Sequence, residues 1–357
     1  MKKILYIKHA DSSFVQSDQK ILERQYRVVP YLINQKKTGI FYLFSLLDLS
    51  WFILRNARGT TAMVTWFGDY HSAILSFFGK IFHIRVVIIA GGQEAICYPE
   101  LKKGVYFNKW RGRLTGYALR QATLIVPNHA SLIEHENFYY DPAGKKDGIR
   151  YYNPGIKTPM VIIPNGIDPL KYYRDERIPK IANRVLTVGT MNGPADFLNK
   201  GFDLFIEMAH RNPGMDCVLI GIKKVFMPWI ETRCPMTGIP NLTLVYSYCP
   251  EELLFQQYNM AKVFVQASIT EGMPNTLNEA MLCECIPVGS HVNGIPDAIG
   301  DTGIIIERRD FNELETAVRK ALTLGSGAQA RSHILQNYTL QLREERLLTL
   351  LHETIGL

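Results

Sequence analysis

The chain has 357 residues, of which 47% are hydrophobic and 20% charged, and its formal net charge is +7. This length exceeds one ordinary hydrophobic core and predicts about two domains. The composition argues against a disordered or solenoid protein, and no apolar run approaches the ~18 residues of a membrane-spanning helix. The six cysteines form no C-x-x-C pair, and residues 1–7 favour a strand over a secretory signal. A cytoplasmic protein is therefore expected.

In the first half, short apolar runs alternate with helical patterns, which is typical of parallel βαβ units. Strands are predicted at 3–7, 62–66, 85–90, 123–126 and 160–163, and helices at 17–26, 39–56, 71–82, 109–121 and 129–137. The stretch 39–58 is strongly apolar, but Asp48, Arg55 and Arg58 favour a buried or interfacial helix over a membrane span. Residues 102–113 mix Lys and Arg with aromatic side chains, which suits either a lipid headgroup interface or a solvated basic loop.

A turn-rich tract at 163–168 (IPNGID) and the charged run at 171–184 predict a hinge near 165–183. Beyond it, strands are predicted at 185–189, 217–221, 242–245, 263–267, 286–289 and 303–306, and helices at 201–211, 251–260, 276–284, 311–324 and 340–355. We therefore expect an α/β protein with two Rossmann-like domains facing a cleft. The expected domains are 1–170 and 171–340, with a C-terminal helix at 341–357 that packs back toward the first domain.

The segment SITEGMPNTLNEAM follows the apolar strand VFVQA and places two carboxylates around a strand-to-helix turn. Glu271 stands at the mouth of this loop, and Glu279 lies about one turn into the helix. Gly272 permits close backbone approach, while Asn275 or Thr276 is expected to cap the helix. Free N–H groups at such a helix start suit an anionic or hydroxyl-rich ligand.

This segment resembles the E-x7-E motif of retaining glycosyltransferases with the GT-B fold, in particular glycosyltransferase family 4. In that family the first carboxylate contacts the donor sugar and the second binds the ribose of the nucleotide. The resemblance implies that Glu271 holds the sugar and shares the catalytic role with Lys200, and that Glu279 holds the ribose. The other donor-binding residues that it implies are Gly189, Thr190, Ser268, Gly272, Met273, Pro274, Asn275 and Thr276. The alternative reading is a capping box with two surface glutamates.

The tract VLTVG at 185–189, followed by KGFD at 200–203, resembles the "VG…KG" pattern of the same family. The lysine of that pattern contacts the donor diphosphate, and an ammonium beside a helix start suits a departing pyrophosphate. A solvated Lys200 is the alternative. Many members have an arginine directly after the glycine, where this chain has Thr190, so Lys223 or Lys224 is the candidate replacement.

In the first domain, WFGDYH at 66–71 and IIAGGQEA at 88–95 are similar to a bacterial and archaeal branch that carries "GGYD" after a central strand. This chain has Gln-Glu where the branch has Tyr-Asp, and it lacks the histidine that many members have in that loop. The acceptor-side residues implied are Asp69, His71, Gly91, Gly92 and Glu94. For His71, a purely structural role is the alternative.

The resemblance implies a metal-independent, retaining hexosyltransferase that moves sugar from a nucleotide-sugar donor to a glycan or lipid-linked acceptor. Bacterial surface polysaccharide or lipopolysaccharide assembly is the implied setting. The resemblance also implies no metal or other cofactor, and the lack of a D-x-D pair beside a predicted strand agrees with this. The positive charge suits nucleic acid, a membrane surface or a phosphorylated small molecule. The resemblance implies a nucleotide sugar, with peripheral contact to the anionic inner face of the cytoplasmic membrane, and no nucleic acid. A sugar-nucleotide 2-epimerase of the same fold and a non-catalytic nucleotide-sugar-binding protein are the alternatives.

Overall fold

The computed structural model describes residues 1–33, 40–236, 238–246 and 249–356, which form two compact units. Unit 1 comprises Met1–His135, Lys146–Gly166 and Gln341–Leu357, and unit 2 comprises Glu136–Lys145 and Ile167–Leu340. The chain thus passes from unit 1 to unit 2 inside the IPNGID tract.

Unit 1 is built on a five-stranded parallel sheet in the order β2-β1-β3-β4-β7. The elements up to residue 152 are β1 (Lys3–Lys8), α1 (Ser13–Glu23), β2 (Arg27–Leu32), α2 (Ile40–Asn56), β3 (Thr60–Trp66), α3 (Tyr70–Phe82), β4 (Arg85–Ala90), β5 (Cys97–Tyr98), β6 (Lys103–Gly104), α4 (Lys109–Gln121), β7 (Leu124–Pro127), β8 (His135–Asn137), β9 (Lys145–Asp147) and α5 (Ile149–Tyr152). Ile4, Leu5 and Ile7 of β1 have no exposed surface, because a central parallel strand is covered on both faces.

Unit 2 is built on a six-stranded parallel sheet in the order β12-β11-β10-β13-β14-β15. Its elements after residue 152 are β10 (Ile181–Val188), α6 (Pro194–Asn199), α7 (Phe202–Arg211), β11 (Asp216–Ile222), α8 (Met227–Glu231), β12 (Leu242–Tyr246), α9 (Glu251–Met260), β13 (Ala261–Gln266), α10 (Asn275–Leu282), β14 (Ile286–Ser290), α11 (Ile295–Ile299), β15 (Ile304–Ile306), α12 (Phe311–Thr323) and α13 (Ala328–Asn337). The last helix, α14 (Leu340–Ile355), begins at the end of unit 2, and the rest of it belongs to unit 1. The two parallel sheets confirm the prediction of two Rossmann-like domains.

Two predicted elements in the first half are wrong. Residues 129–137 do not form a helix: His129 accepts a hydrogen bond from the Ser131 amide in a single 3-10 turn at Ala130–Leu132, and β8 follows. Residues 160–163 run beside β7 but form only one bridge, between Met160 and Ile125. Prolines at 159 and 164 bracket this segment, and a proline nitrogen cannot donate to a ladder.

Helix α2 has one buried face and one apolar exposed face. Leu49 and Ile53 have no exposed surface, whereas Trp51 and Leu54 are strongly exposed. Of the two expectations for this stretch, a buried or an interfacial helix, a wholly buried helix does not agree with its exposed outer face. Gly39, the first predicted residue, lies outside the described residues. Among the described residues, no helix is both long enough and apolar enough to cross a membrane.

A buried ion pair ties α14 to the core of unit 1. The Arg343 guanidinium donates from Nε and Nη2 to the two carboxylate oxygens of Asp18, at 2.7 and 2.6 Å, and both residues are almost wholly buried. Asp18 also accepts a hydrogen bond from Trp66 Nε1 at 2.9 Å, and Arg343 Nη1 donates to the carbonyls of Ile163 and Pro164. Every charged atom of the pair is thereby satisfied, as a buried pair requires.

Replacing Arg343 with Met should lower the free energy of unfolding by about 3–5 kcal/mol, because the Asp18 carboxylate is left buried without its counterion. Arg24→Met is the matched control, since Arg24 pairs with Glu344 at the surface between the same two helices. An exposed pair contributes under about 1 kcal/mol. Urea unfolding of both variants measures the difference, and equal losses would contradict this account.

Candidate functional site

The residues predicted for the donor site lie where strands of unit 2 end. Gly189 follows β10, and the loop carrying Glu271 follows β13. Lys200 stands between α6 and α7, where Gly201 takes a left-handed conformation with φ 69°. The carboxyl ends of parallel strands meet at one edge of a sheet, and ligands of Rossmann-like sheets bind there. The structure therefore brings these residues together.

Lys200 and Glu271 form a salt bridge between Nζ and Oε1. The same carboxylate oxygen accepts hydrogen bonds from Ser268 Oγ at 3.0 Å and Gln266 Nε2 at 3.2 Å. Each partner of the salt bridge keeps about a fifth of its side chain exposed, 21% for Lys200 and 17% for Glu271. A partly desolvated cation and carboxylate are thus held at the surface of this sheet edge, within reach of a ligand.

The backbone of the Glu271 loop is fixed by asparagine side chains. Asn293 Oδ1 accepts hydrogen bonds from the Glu271 amide at 3.0 Å and from Thr270 Oγ1 at 3.3 Å. Asn137, from the β8–β9 hairpin, donates to the Ile269 carbonyl at 2.8 Å. A loop anchored in this way can present its carboxylate without reorganising when a ligand binds.

Helix α10 begins directly after this loop, with Pro274 as its N-cap residue and no side-chain cap. The prediction that Asn275 or Thr276 caps the helix is therefore wrong. Both residues lie in its first turn, where Thr276 Oγ1 donates to Gln266 Oε1 at 3.3 Å instead. The start of this helix lies directly beside the Glu271 loop, and helix N-termini favour anions.

Glu279 lies on α10, one turn beyond that start, and its carboxylate accepts a hydrogen bond from the Tyr258 hydroxyl at 2.9 Å. Desolvation raises the pKa of Glu279 to about 7, against the lowering effects of the Tyr258 hydrogen bond and of Lys171. The residue keeps some exposed surface. It can therefore reach a ligand, and its charge changes near neutral pH.

Glycines allow two loops to approach closely beside Lys200. A Cβ at Gly221, which has φ 108°, would meet the Gly189 carbonyl oxygen at 1.8 Å. Thr190 is exposed in the loop after Gly189. Lys223 Nζ donates to Asn192 Oδ1 in that same loop at 2.8 Å. Of the two lysines considered as replacements for the missing arginine, Lys223 is thus the one shown to contact the loop after Gly189.

The remaining predicted donor residues of the Glu271 loop are mostly buried and form its backbone framework. Ser268 has no exposed surface, and Met273 retains 5%. Gly272 and Pro274 are also buried, and the Gly272 carbonyl accepts a hydrogen bond from the Gly294 amide at 3.0 Å.

In unit 1, a polar cluster lies at the carboxyl edge of the first sheet. Asp69 caps α3, accepting from the Tyr70 amide, and receives two hydrogen bonds from Arg111 at 2.9 and 2.6 Å. Despite burial, the pKa of Asp69 is lowered by Arg111. His9 Nε2 lies 3.7 Å from the Asp69 carboxylate, and burial lowers the pKa of His9 to about 3, so His9 is neutral.

The Gly91-Gly92 loop of unit 1 wraps around a buried carboxylate. The amides of Gly91 and Gly92 both donate to Glu94 Oε1, and burial raises the pKa of Glu94 to about 7. His71 has no exposed surface, and its Nε2 lies 3.1 Å from the Trp66 carbonyl oxygen. His71 is therefore placed in the core, whereas the cluster around Asp69 lies nearer the surface.

Sequence reasoning missed the residues that hold the predicted ones. Gln266 and Tyr258 donate to the carboxylates of Glu271 and Glu279, and Asn293 accepts from the Glu271 backbone amide. Arg111 and His9 accompany Asp69. His9 stands directly after β1 and Gln266 ends β13, so their places at strand ends are a signal that the sequence offers. Arg111 lies in the basic stretch at 102–113, for which the sequence suited either a headgroup interface or a solvated loop. Across the described part of the chain, no group of three or more His, Cys, Asp and Glu is placed to hold a metal ion.

Comparison with known proteins places this site in a recognised domain. Residues 182–323 match the model of the family described as "Glycosyl transferases group 1". The O-antigen chain mannosyltransferase B of Escherichia coli is 30% identical over 103 residues, covering 26% of this chain and 27% of that protein. Trehalose synthase of Pyrococcus horikoshii is 26% identical over 238 residues, covering 58% and 56%. The matches thus span about a quarter and about half of these relatives.

Solved structures match over nearly the whole chain. Sucrose-phosphate synthase from Thermosynechococcus elongatus aligns over 100% of both chains with a TM-score of 0.75 and 13% identity. Anabaena Alr3699/HepE, solved in complex with UDP, aligns over 98% of this chain and 99% of its own with a TM-score of 0.72 and 15% identity. The predicted GT-B fold is confirmed by these structures.

The pKa of Glu279 predicts a pH-dependent affinity for nucleoside diphosphates. A carboxyl of pKa about 7 is mostly ionised at pH 8 and mostly protonated at pH 6. If Glu279 holds the ribose, as the sequence resemblance implies, it will accept the ribose hydroxyls better at pH 8. Affinity should fall about tenfold between those pH values in the parent protein, the scale of one charged hydrogen bond.

Glu279→Gln is the matched control, because it cannot titrate while phosphate protonation affects both proteins alike. Calorimetry at pH 6, 7 and 8 measures the difference between the two profiles. Parallel profiles would show that Glu279 does not contact the nucleotide.

Proposed function

We propose that this protein is a retaining glycosyltransferase that transfers a hexosyl group from a nucleotide sugar. The observation that carries the proposal is the salt bridge between Lys200 and Glu271 at the sheet edge, beside the start of α10. This arrangement supplies a cation for a diphosphate and a carboxylate for sugar hydroxyls. Glu279, on the same helix, supplies a second carboxylate for the ribose.

Donor binding changes the partners of both charges. The diphosphate replaces Glu271 beside the Lys200 ammonium, and the freed carboxylate accepts hydrogen bonds from the sugar. As the bond between the anomeric carbon and the phosphate oxygen breaks, negative charge grows on the leaving diphosphate. Lys200 and the first-turn amides of α10 stabilise that charge, which makes electrostatics the main source of rate. Lys223 is the candidate second cation through its contact with Asn192.

Retention follows from a front-face route that needs no protein nucleophile and no metal. The acceptor hydroxyl attacks the anomeric carbon from the side on which the diphosphate leaves. Its proton passes to an oxygen of the departing phosphate, so the products are the glycoside and the nucleoside diphosphate. Gly189, Thr190, Gly272, Met273 and Asn275 line the donor in this proposal, and Ser268 and Pro274 support the loop.

The acceptor is a glycan or a lipid-linked sugar, and the setting is bacterial surface polysaccharide or lipopolysaccharide assembly on the cytoplasmic side. The similarity to an O-antigen mannosyltransferase supports this setting. We assign the acceptor side to unit 1, where Asp69 and Glu94 stand at strand ends beside the Gly91-Gly92 loop. His71 would act there only by supporting the loop at 67–69 from the core.

The proposal is tested by incubating the protein with nucleotide sugars and candidate glycan acceptors, and by determining the anomeric configuration of the product by NMR. Lys200→Ala should slow transfer about 10²-fold, the scale of one lost transition-state donor. Glu271→Ala should reduce transfer while preserving diphosphate binding, because Lys200 keeps its charge and the Glu271 carboxylate no longer competes with the diphosphate for it. Lys320→Ala is the matched control, because this exposed lysine lies near the C-terminal end of α12.

Three outcomes contradict the proposal. An unchanged transfer rate in both Lys200→Ala and Glu271→Ala would remove the site assignment. Epimerised donor formed without any acceptor would identify a sugar-nucleotide 2-epimerase. Tight nucleotide binding in a thermal-shift assay, with neither transfer nor donor hydrolysis, would identify a non-catalytic binding protein.

A further inference from the structure

Helix α2 presents an apolar face to solvent. Its six strongly exposed apolar residues, each with 46–62% of its surface accessible, are Phe41, Leu43, Phe44, Leu47, Trp51 and Leu54. Plotted at 100° per residue, they occupy one arc about 160° wide. The opposite face packs into unit 1 through Leu49 and Ile53. The outer face of a surface helix is normally polar, so an exposed apolar arc of this width is typical of an interaction surface.

Exposed apolar side chains also lie on α3, which packs beside α2, and on α4, which packs beside α3. Helix α3 packs against both α2 and α4. Crossovers between parallel strands are right-handed, so the helices that connect β2 to β3, β3 to β4 and β4 to β7 cover one face of the sheet. Exposed apolar side chains on the outer side of this layer also come from α3, α4 and the turn before α4: Phe77, Ile81, Phe82, Phe107, Trp110 and Leu114. We call these residues and the arc of α2 the apolar helix face.

The charges on these helices are almost all positive. Helices α2, α3 and α4 carry six basic residues and one acidic residue, Asp48. Arg55 lies over the exposed Trp51 ring at 5.9 Å, and Arg113 lies over the exposed Trp110 ring at 5.4 Å. Basic heads above aromatic rings, next to exposed leucine and phenylalanine, match the boundary between lipid headgroups and acyl chains.

We propose that the apolar helix face docks onto an anionic phospholipid bilayer, with the exposed side chains of α2 inserted at the level of the acyl-chain boundary. The positive charge complements anionic headgroups. It disfavours a two-fold dimer through the same face, because such a dimer brings the basic residues of both copies together. Membrane docking goes beyond the proposed catalytic function and does not depend on it.

Sedimentation with sucrose-loaded vesicles tests the proposal, using phosphatidylglycerol mixed with phosphatidylcholine and phosphatidylcholine alone. The parent protein should bind the anionic vesicles, and high salt should weaken binding without abolishing it, because apolar insertion is not screened. The double variant Leu47→Glu, Trp51→Glu should bind at least about tenfold more weakly. Leu170→Glu is the matched control: Leu170 is 86% exposed but lies in unit 2, so its substitution should leave binding unchanged.

Trp51 gives a second readout that does not depend on a destabilising change. In a Trp110→Phe background, lipids brominated on their acyl chains should quench the fluorescence of Trp51, and Trp51→Phe should remove that quenching.

Three results overturn the proposal. The first is that the parent protein does not sediment with anionic vesicles, and the second is that the double variant binds as well as the parent. The third is that the parent binds no vesicles but forms a dimer, which the double variant converts to a monomer. Failed transfer alongside intact vesicle binding would count against the catalytic proposal alone.

Discussion

The salt bridge between Lys200 and Glu271 is the interaction on which the account of this protein depends. Two opposite charges, each largely shielded from water, need partners, and each is the partner of the other when no ligand is present. Gln266 and Ser268 fix the carboxylate, and Asn293 fixes the backbone behind it. The site is therefore preorganised, and in the proposed function an incoming diphosphate would exchange one anionic partner of Lys200 for another.

The two units hold their charges in different ways. In unit 2, the site consists of a cation, a partly exposed carboxylate and a second carboxylate whose pKa lies near neutrality. In unit 1, Asp69 is neutralised by Arg111, and Glu94 is enclosed by the amides of its own loop. This contrast agrees with a donor of fixed chemistry in unit 2 and a less charged, more variable ligand in unit 1.

The sequence predicted the strands of both sheets well where apolar runs end in turns, as at 85–90 and 286–289. It missed β2, because this edge strand contains Pro30 and keeps exposed residues along its length. Within the site, the motif located Glu271 and Glu279, whose spacing is local. Their partners Asn293 and Tyr258 come from other elements, and such contacts arise only from tertiary packing. For α2 the sequence left a buried and an interfacial helix open, because hydrophobicity alone does not say which side faces water.

A crystal structure of the protein soaked with uridine diphosphate or guanosine diphosphate tests the central claim most directly. The account predicts the terminal phosphate within hydrogen-bond distance of Lys200 Nζ, with Glu271 released from its salt bridge and the ribose hydroxyls at Glu279. A diphosphate bound elsewhere, with the salt bridge between Lys200 and Glu271 intact, would contradict it.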